Sequence, residues 1–182
     1  MENSLYGQID SATWQQLSQV KLLICDVDGV FSDGRIYLGN NGEELKAFHT
    51  RDGFGVKALL QAGIDVAVIT GRNSRIVENR FNALGVPHIY QGQENKRLAF
   101  DALLGKLGLN PENVAYIGDD IPDLALIEHV GLGVAVADAH PLVTQAARYT
   151  TCLPGGYGAV RELCDLILQS QGKNLRPQGA SL

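Results

Sequence analysis

The chain of 182 residues suits one domain, and with 45% hydrophobic against 19% charged residues it can bury a core rather than remain disordered. A net charge of −5 argues against a nucleic-acid-binding surface, so an anionic partner has to be caught by local cations or a metal. The three cysteines, Cys25, Cys152 and Cys164, form no C-x-x-C pair, which points to a reducing compartment and away from a zinc site.

The opening MENSLYGQID lacks a basic stretch followed by an apolar one, so no signal peptide is expected. No apolar run approaches the roughly 18 residues of a membrane span, and the expected location is cytoplasmic. Residues 1–19 read as a polar N-terminal segment in which Ser11 caps a short helix carrying Trp14 and Leu17. Apolar runs follow at 21–27, 64–70, 87–91, 113–117 and 131–136, alternating with helical patterns at 53–62, 73–84, 95–108, 121–129, 140–147 and 157–170. Continuous Val/Ile runs without strict alternation fit strands buried on both faces, and the strand–helix rhythm predicts a doubly wound parallel α/β sheet. Residues 34–49, GRIYLGNNGEELKAFH, break this rhythm. Asn41-Gly42 between two short alternating runs predicts a β-hairpin insertion after the first strand, with more apolar surface in Tyr37, Leu38, Leu45 and Phe48 than an isolated hairpin buries. That surface packs either on its own domain or on other subunits. Residues 173–182, polar and without periodicity, read as a flexible tail.

In an open α/β sheet, ligands bind beyond the carboxyl ends of the strands. Asp26 and Asp28 follow the first run, Thr70, Gly71 and Arg72 follow the second, and Gly118, Asp119, Asp120 and Asp123 follow NVAYI; Lys96 opens a helix. Two carboxylates about 5 Å apart at an effective dielectric of about 20 repel by roughly 3 kcal/mol, so this rim calls for a counter-ion. Mg²⁺, a hard cation that takes oxygen ligands, fits between Asp26 and Asp119. Any one of these acids could instead be a helix cap or turn residue, but caps alone do not explain all of them together with Thr70 and Lys96. A carboxylate in this setting can attack phosphorus and form an aspartyl-phosphate. Asp28, two residues on, is placed to protonate the leaving alkoxide and then to activate water. Thr70 can donate to the phosphoryl oxygens and Lys96 can neutralise them.

Asp26-Val27-Asp28-Gly29-Val30, Thr70-Gly71-Arg72, Lys96 and Gly118-Asp119-Asp120-Ile121-Pro122-Asp123 occur in the order of the four motifs of the haloacid dehalogenase-like phosphatases, which the chain resembles. With a hairpin where other members carry a cap domain, and with HTRDGFGVKALL and GGYGAVRELCDLIL flanking the later elements, residues 20–172 are similar to the capless, tetrameric class acting on sugar-acid phosphates. The resemblance implies Asp26 as nucleophile and Mg²⁺ ligand, Asp28 as acid/base and carbonyl ligand, Asp119 as the remaining protein ligand, and Asp120 and Asp123 as supporting acids. It implies a small anionic sugar-acid phosphate, with eight or alternatively nine carbons, as substrate. It also places His49, Thr50, Arg51, Asp52, Gly53, Lys57, Arg72 and Arg80 at the sugar-acid end, and a homotetramer built through the 34–49 hairpin. Gly155–Gly158 and the tail would then serve as a lid.

Other features are set aside. Gly131-Leu132-Gly133 lacks the rest of a dinucleotide fingerprint. His88, His129 and His140 share no metal-ligand spacing, Cys25 reads as a small core residue, and Trp14 as a packing anchor. Receiver-type signalling modules also use an acidic rim, Mg²⁺, a threonine and a lysine, and a silent assembly scaffold would explain the hairpin. Asp28 favours an enzyme, because a persistent aspartyl-phosphate needs no acid/base beside it.

Overall fold

The computed structural model describes residues 1–179. In chain order the elements are β1 (Glu2–Ser4), β2 (Gly7–Ile9), α1 (Ser11–Ser18), β3 (Leu22–Cys25), β4 (Tyr37–Leu38), β5 (Glu44–Leu45), α2 (Thr50–Gln61), β6 (Asp65–Ile69), α3 (Arg75–Leu84), β7 (His88–Tyr90), α4 (Lys96–Leu107), β8 (Val114–Gly118), α5 (Leu124–Ile127), β9 (Leu132–Ala135), α6 (Pro141–Ala146), β10 (Tyr149–Thr150) and α7 (Ala159–Ser170). Short 3₁₀ turns at Pro111–Asn113 and Ile121–Asp123 precede β8 and α5.

Six strands form one sheet in the order β10-β9-β8-β3-β6-β7, and every neighbouring pair is parallel. The chain builds outward from β3 through β6 to β7, then returns to the other side of β3 for β8, β9 and β10. The reversal of winding therefore falls between β3 and β8, where open sheets of this kind leave a crevice.

Strand parity divides the interior in two. Leu23, Cys25, Val66, Val68, Ala115, Ile117 and Val134 pack with residues of α1, α2, α3 and α7. Leu22, Ile24, Ala67, Ile69, Val114, Tyr116 and Ala135 face α4, α5 and α6. Both faces are covered, which is why these strands read as unbroken apolar runs. Gly133 sits in β9 because a Cβ there would overlap the Ile127 carbonyl; close packing, rather than a dinucleotide, explains the glycine.

Local chemistry differs from expectation in several places. Asp10, not Ser11, caps α1: its extended backbone lets the side chain accept from Thr13 N at 3.0 Å. Residues 2–9 form a small antiparallel hairpin that polarity alone did not reveal. Tyr6 Oη donates to Asp165 Oδ2 at 2.8 Å, and Arg148 pairs with Asp10, so this N-terminal segment is tied to α7 and to the loop before β10. Burial, then the Asp165 carboxylate, push the Tyr6 phenol well above its ordinary range.

The 34–49 insertion is a two-stranded antiparallel ladder, Tyr37↔Leu45 and Leu38↔Glu44. Its five-residue loop uses positive φ only at Gly42, at 84°. Phe48 runs back onto Phe81, which also holds Phe31 edge-on with 4.7 Å between ring centroids. Tyr37, Leu38 and Leu45 point outward, 53%, 73% and 64% exposed.

Gly155–Gly156 differs from the expected lid. Gly156 N donates to Val30 O at 2.9 Å, and a Cβ on Gly155 would overlap the Gly29 carbonyl, so the pair is packed behind the turn that follows β3. At the C-terminal end Lys173 Nζ donates to Ala62 O at 2.7 Å and Leu175 packs against the core. The last part of the expected tail, residues 180–182, lies outside the described residues.

Candidate active site

The carboxyl ends of β3, β6 and β8 define the floor of a cleft of about 280 Å³ lined by Asp26, Asp28, Thr70, Lys96, Asp119 and Asp123, with Arg72 and Asp120 at its edge. A larger hollow of about 380 Å³ between α2 and Lys173–Gln178 holds no carboxylate, so chemistry rather than size singles out the cleft.

Asp26 follows β3 directly and its N–H donates to Ile117 O at 3.1 Å, which ties it in register to the adjacent strand β8. The chain then turns sharply: Val27 O accepts from the N–H groups of Val30, Phe31 and Ser32. Gly29 makes this possible on two counts. Its φ is 86°, a conformation that costs other residues energy, and a Cβ would overlap the Asp119 carboxylate. The sequence Asp-x-Asp-Gly therefore serves both the turn and the room that Asp119 needs. Gly118 has a parallel purpose, because a Cβ there would collide with Asp123 as it folds back under the end of β8.

One oxygen from each of Asp26, Asp119 and Asp123 lies within 4.8 Å of the others. The three acids are not equivalent. Asp123 is almost wholly buried and its oxygens are committed: Oδ1 takes Lys96 Nζ at 2.8 Å and the Tyr116 hydroxyl, and Oδ2 takes the N–H groups of Asp119 and Asp120 at 3.0 and 3.2 Å. Asp26 Oδ1 meets the same ammonium at 2.9 Å. The Asp119 carboxylate accepts no hydrogen bond among the described residues. Burial pushes it up to about 8, with Asp26, Asp123 and Asp120 adding to the rise. Burial and then Asp123 push Asp26 up to about 6, against the pull of Lys96. Burial works to strip the proton from Lys96, but Asp26 and Asp123 outweigh it and hold this ammonium above its ordinary range. One lysine thus leaves the cluster electrostatically unfinished. Oxygen-only donors with unmet negative charge fit a hard divalent cation, with Asp26 and Asp119 to hold it and Asp123 to brace Lys96 and the β8 loop.

Asp120 is exposed, and its side chain caps the turn Ile121–Asp123 through Ile121 N at 2.8 Å, so its cap role is real beside any support of a metal. Thr70 is buried at the end of β6, its backbone fixed by Tyr90 O and Gln93 N. Arg72 reaches back to Glu44 Oε2 at 3.4 Å. Asp28 meets Lys46 Nζ at 2.6 Å.

The remaining residues assigned to the sugar-acid end do not line this cleft. His49 caps α2, its Nδ1 accepting from Arg51 N at 3.1 Å, and borders a separate hollow with Asp33 and Tyr157. Thr50 and Arg51 are exposed on the first turn of α2, and Gly53 is buried inside that helix. Lys57 borders a depression beside Leu84 and Gly85. Asp52 is 1% exposed, and its Oδ1 accepts from Arg161 N at 2.9 Å, which fastens the start of α7. Burial pushes Asp52 up to about 6 even though Arg161 and Arg80 act to lower it, and desolvation lowers Arg80.

Sequence reasoning missed Tyr116 and Lys46. Tyr116 is the polar member of a strand face otherwise made of aliphatics, a parity signal that was available. Lys46 was signalled by the alternation Glu44, Lys46, Phe48, which puts all three on one side of an extended segment.

A family model described as haloacid dehalogenase-like hydrolase matches residues 87–153. The 3-deoxy-D-manno-octulosonate 8-phosphate phosphatase of Escherichia coli (strain K12) is 55% identical over 177 residues, covering 97% of this chain and 94% of that protein. The crystal structure of the Yersinia pestis phosphatase of the same name superposes with a TM-score of 0.93 at 54% identity, over 94% of this chain and 93% of that one. The Moraxella catarrhalis phosphatase, crystallised with magnesium, phosphate and KDO, gives a TM-score of 0.86 at 44% identity over 88% and 92% of the two chains. With these likenesses running through nearly its whole length, the chain belongs to the 3-deoxy-D-manno-octulosonate 8-phosphate phosphatase family of haloacid dehalogenase-like hydrolases.

Proposed function

We propose that this chain is a Mg²⁺-dependent phosphatase that hydrolyses 3-deoxy-D-manno-octulosonate 8-phosphate to the free sugar acid and phosphate, supplying lipopolysaccharide inner-core sugar synthesis in the cytoplasm. The observation that carries this reading is the cluster of Asp26, Asp119 and Asp123 around a shared void beside Lys96, in a chain 55% identical to a phosphatase of that name.

Asp26, Asp119 and the Asp28 backbone carbonyl would hold the cation, which would supply the positive charge that offsets carboxylate repulsion and stabilises the transferring phosphoryl group. The residues of the chain do the rest. Asp26 attacks phosphorus, the phosphorus–oxygen ester bond breaks, and Asp28 gives its proton to the departing sugar oxygen. Asp28, now a carboxylate, takes a proton from water, whose oxygen attacks the aspartyl-phosphate and frees phosphate and Asp26. Lys96 and the Thr70 hydroxyl hold the phosphoryl oxygens through the transfer, Asp123 keeps Lys96 in place, and Asp120 supports the loop that carries Asp119. Arg72, exposed at the edge, can grip the substrate carboxylate bidentately.

Exposed Tyr37, Leu38 and Leu45 on a short hairpin support assembly through that hairpin, as a homotetramer. We assign His49, Thr50, Arg51, Lys57 and Arg80 to the sugar-acid end only in the assembled enzyme, since the cleft of one subunit does not reach them, and Asp52 and Gly53, both buried, serve that end by shaping the first turns of α2.

Initial rates on a panel of sugar phosphates, with Mg²⁺ and with a chelator, test the reading. The eight-carbon sugar-acid phosphate is expected to be the best substrate, and the chelator should abolish turnover. A preferred nine-carbon acid would move the substrate, a preferred substrate lacking a carboxylate would remove the role of Arg72, and chelator-resistant turnover would remove the mechanism.

A further inference from the structure

We propose that Lys46, on the hairpin insertion, is a positioning residue that holds the side chain of Asp28 at the mouth of the cleft; the proposal rests on the acid/base assignment of Asp28 above. Lys46 Nζ lies 2.6 Å from Asp28 Oδ1, and the lysine side chain is fully enclosed while that of Asp28 is one-fifth exposed. Glu44 approaches the same ammonium at 3.5 Å, and its other oxygen meets Arg72 at 3.4 Å. Charges therefore alternate along the rim from Asp28 through Lys46 and Glu44 to Arg72. Desolvation by itself would raise the Glu44 carboxyl, yet Lys46 and then Arg72 hold it below its ordinary range, in keeping with a joined network.

The need for such a device follows from the neighbouring charges. Asp28 shares its cleft with Asp26, Asp119, Asp120 and Asp123, and Lys96 is already committed to Asp26 and Asp123. Once Asp28 has given its proton to the leaving oxygen, the untethered carboxylate that must then activate water would be driven outward by like charge. An acid/base must stay within hydrogen-bond reach of the oxygen it serves, and displacement of about 1 Å can cost on the order of a hundredfold in rate. Lys46 supplies the opposing attraction from outside the phosphoryl site. It comes from the insertion, not from the sheet, so the hairpin contributes to the geometry of the cleft as well as to assembly. The competing explanation is that Lys46 merely fastens the hairpin.

A double-variant cycle separates these explanations. kcat and KM are measured for wild type, Lys46→Met, Asp28→Asn and the double variant on 3-deoxy-D-manno-octulosonate 8-phosphate with saturating Mg²⁺, and oligomeric mass is followed by sedimentation. Lys46→Met is expected to lower kcat about tenfold or more, leave KM within about twofold, and cost little further in the Asp28→Asn background. Lys46→Arg is expected to recover most of the loss. The same fractional loss in both backgrounds overturns the proposal and leaves Lys46 as a fastener. Near-normal turnover by Asp28→Asn alone removes the acid/base assignment itself, which distinguishes the two failures. Should Lys46→Met fail to fold, Lys46→Gln takes its place in the same cycle under the same criteria.

Discussion

Lys96 Nζ stands 2.9 Å from Asp26 Oδ1 and 2.8 Å from Asp123 Oδ1, so a single buried ammonium is shared between the proposed nucleophile and an acid at the base of the β8 loop. The sharing links catalysis to stability. Replacing Asp123 by Ala removes the acceptor for Asp119 N, Asp120 N and the Tyr116 hydroxyl, and takes one counter-charge from Lys96. Breaking a buried pair in this way costs about 3–5 kcal/mol. Asp123→Ala should therefore unfold at clearly lower urea concentration and lose nearly all activity. An unchanged midpoint would show that the β8 loop does not depend on this acid.

Gly29→Ala tests the double demand on that glycine. A left-handed residue with a side chain costs about 1–2 kcal/mol, which a domain of this size tolerates. The displaced Asp119 carboxylate is the larger consequence. The variant should remain folded but need much more Mg²⁺ for half-maximal activity. A normal Mg²⁺ requirement would mean that Asp119 does not hold the cation from the position seen here.

Asp52 offers a pH signature away from the cleft. Burial raises its carboxyl from 3.8 to about 6, so the folded chain binds a proton more tightly than the unfolded chain between those values. The resulting contribution is full below pH 4 and is lost as pH rises through 6, by about 3 kcal/mol at most, given 1.36 kcal/mol per unit. Asp52→Asn keeps an acceptor for Arg161 N and removes the titration. Wild type should lose more stability than Asp52→Asn between pH 4.5 and about pH 7.5 in denaturant titrations. Parallel slopes would mean that Asp52 is already ionised without penalty.

Exposed Leu38 and Leu45 make the hairpin testable as an assembly element. Leu38→Asp together with Leu45→Asp places charge on two of the three outward positions while leaving the Tyr37↔Leu45 and Leu38↔Glu44 pairing intact in backbone terms. Sedimentation should report a smaller mass than wild type. A wild-type mass would remove the hairpin as the assembly element.

Much of this molecule is written in local pattern. Unbroken apolar runs such as Leu22–Cys25 and residues 66–69 identify strands covered on both faces, and the acids, threonine and lysine at their ends identify the rim, because strand direction and side-chain parity are properties of neighbouring residues. What only the tertiary structure decided are the partners. Asp52, expected beside substrate, is 109 residues from the Arg161 N–H that it caps, and Asp28 is 18 residues from the Lys46 that holds it. The same packing engages both Asp123 oxygens with Lys96, Tyr116 and the β8 loop and, among the described residues, leaves the Asp119 carboxylate without a donor. A lone sequence gives each side chain its chemistry. Which charge it meets depends on how the helices and the hairpin pack against one sheet, and no local periodicity encodes that.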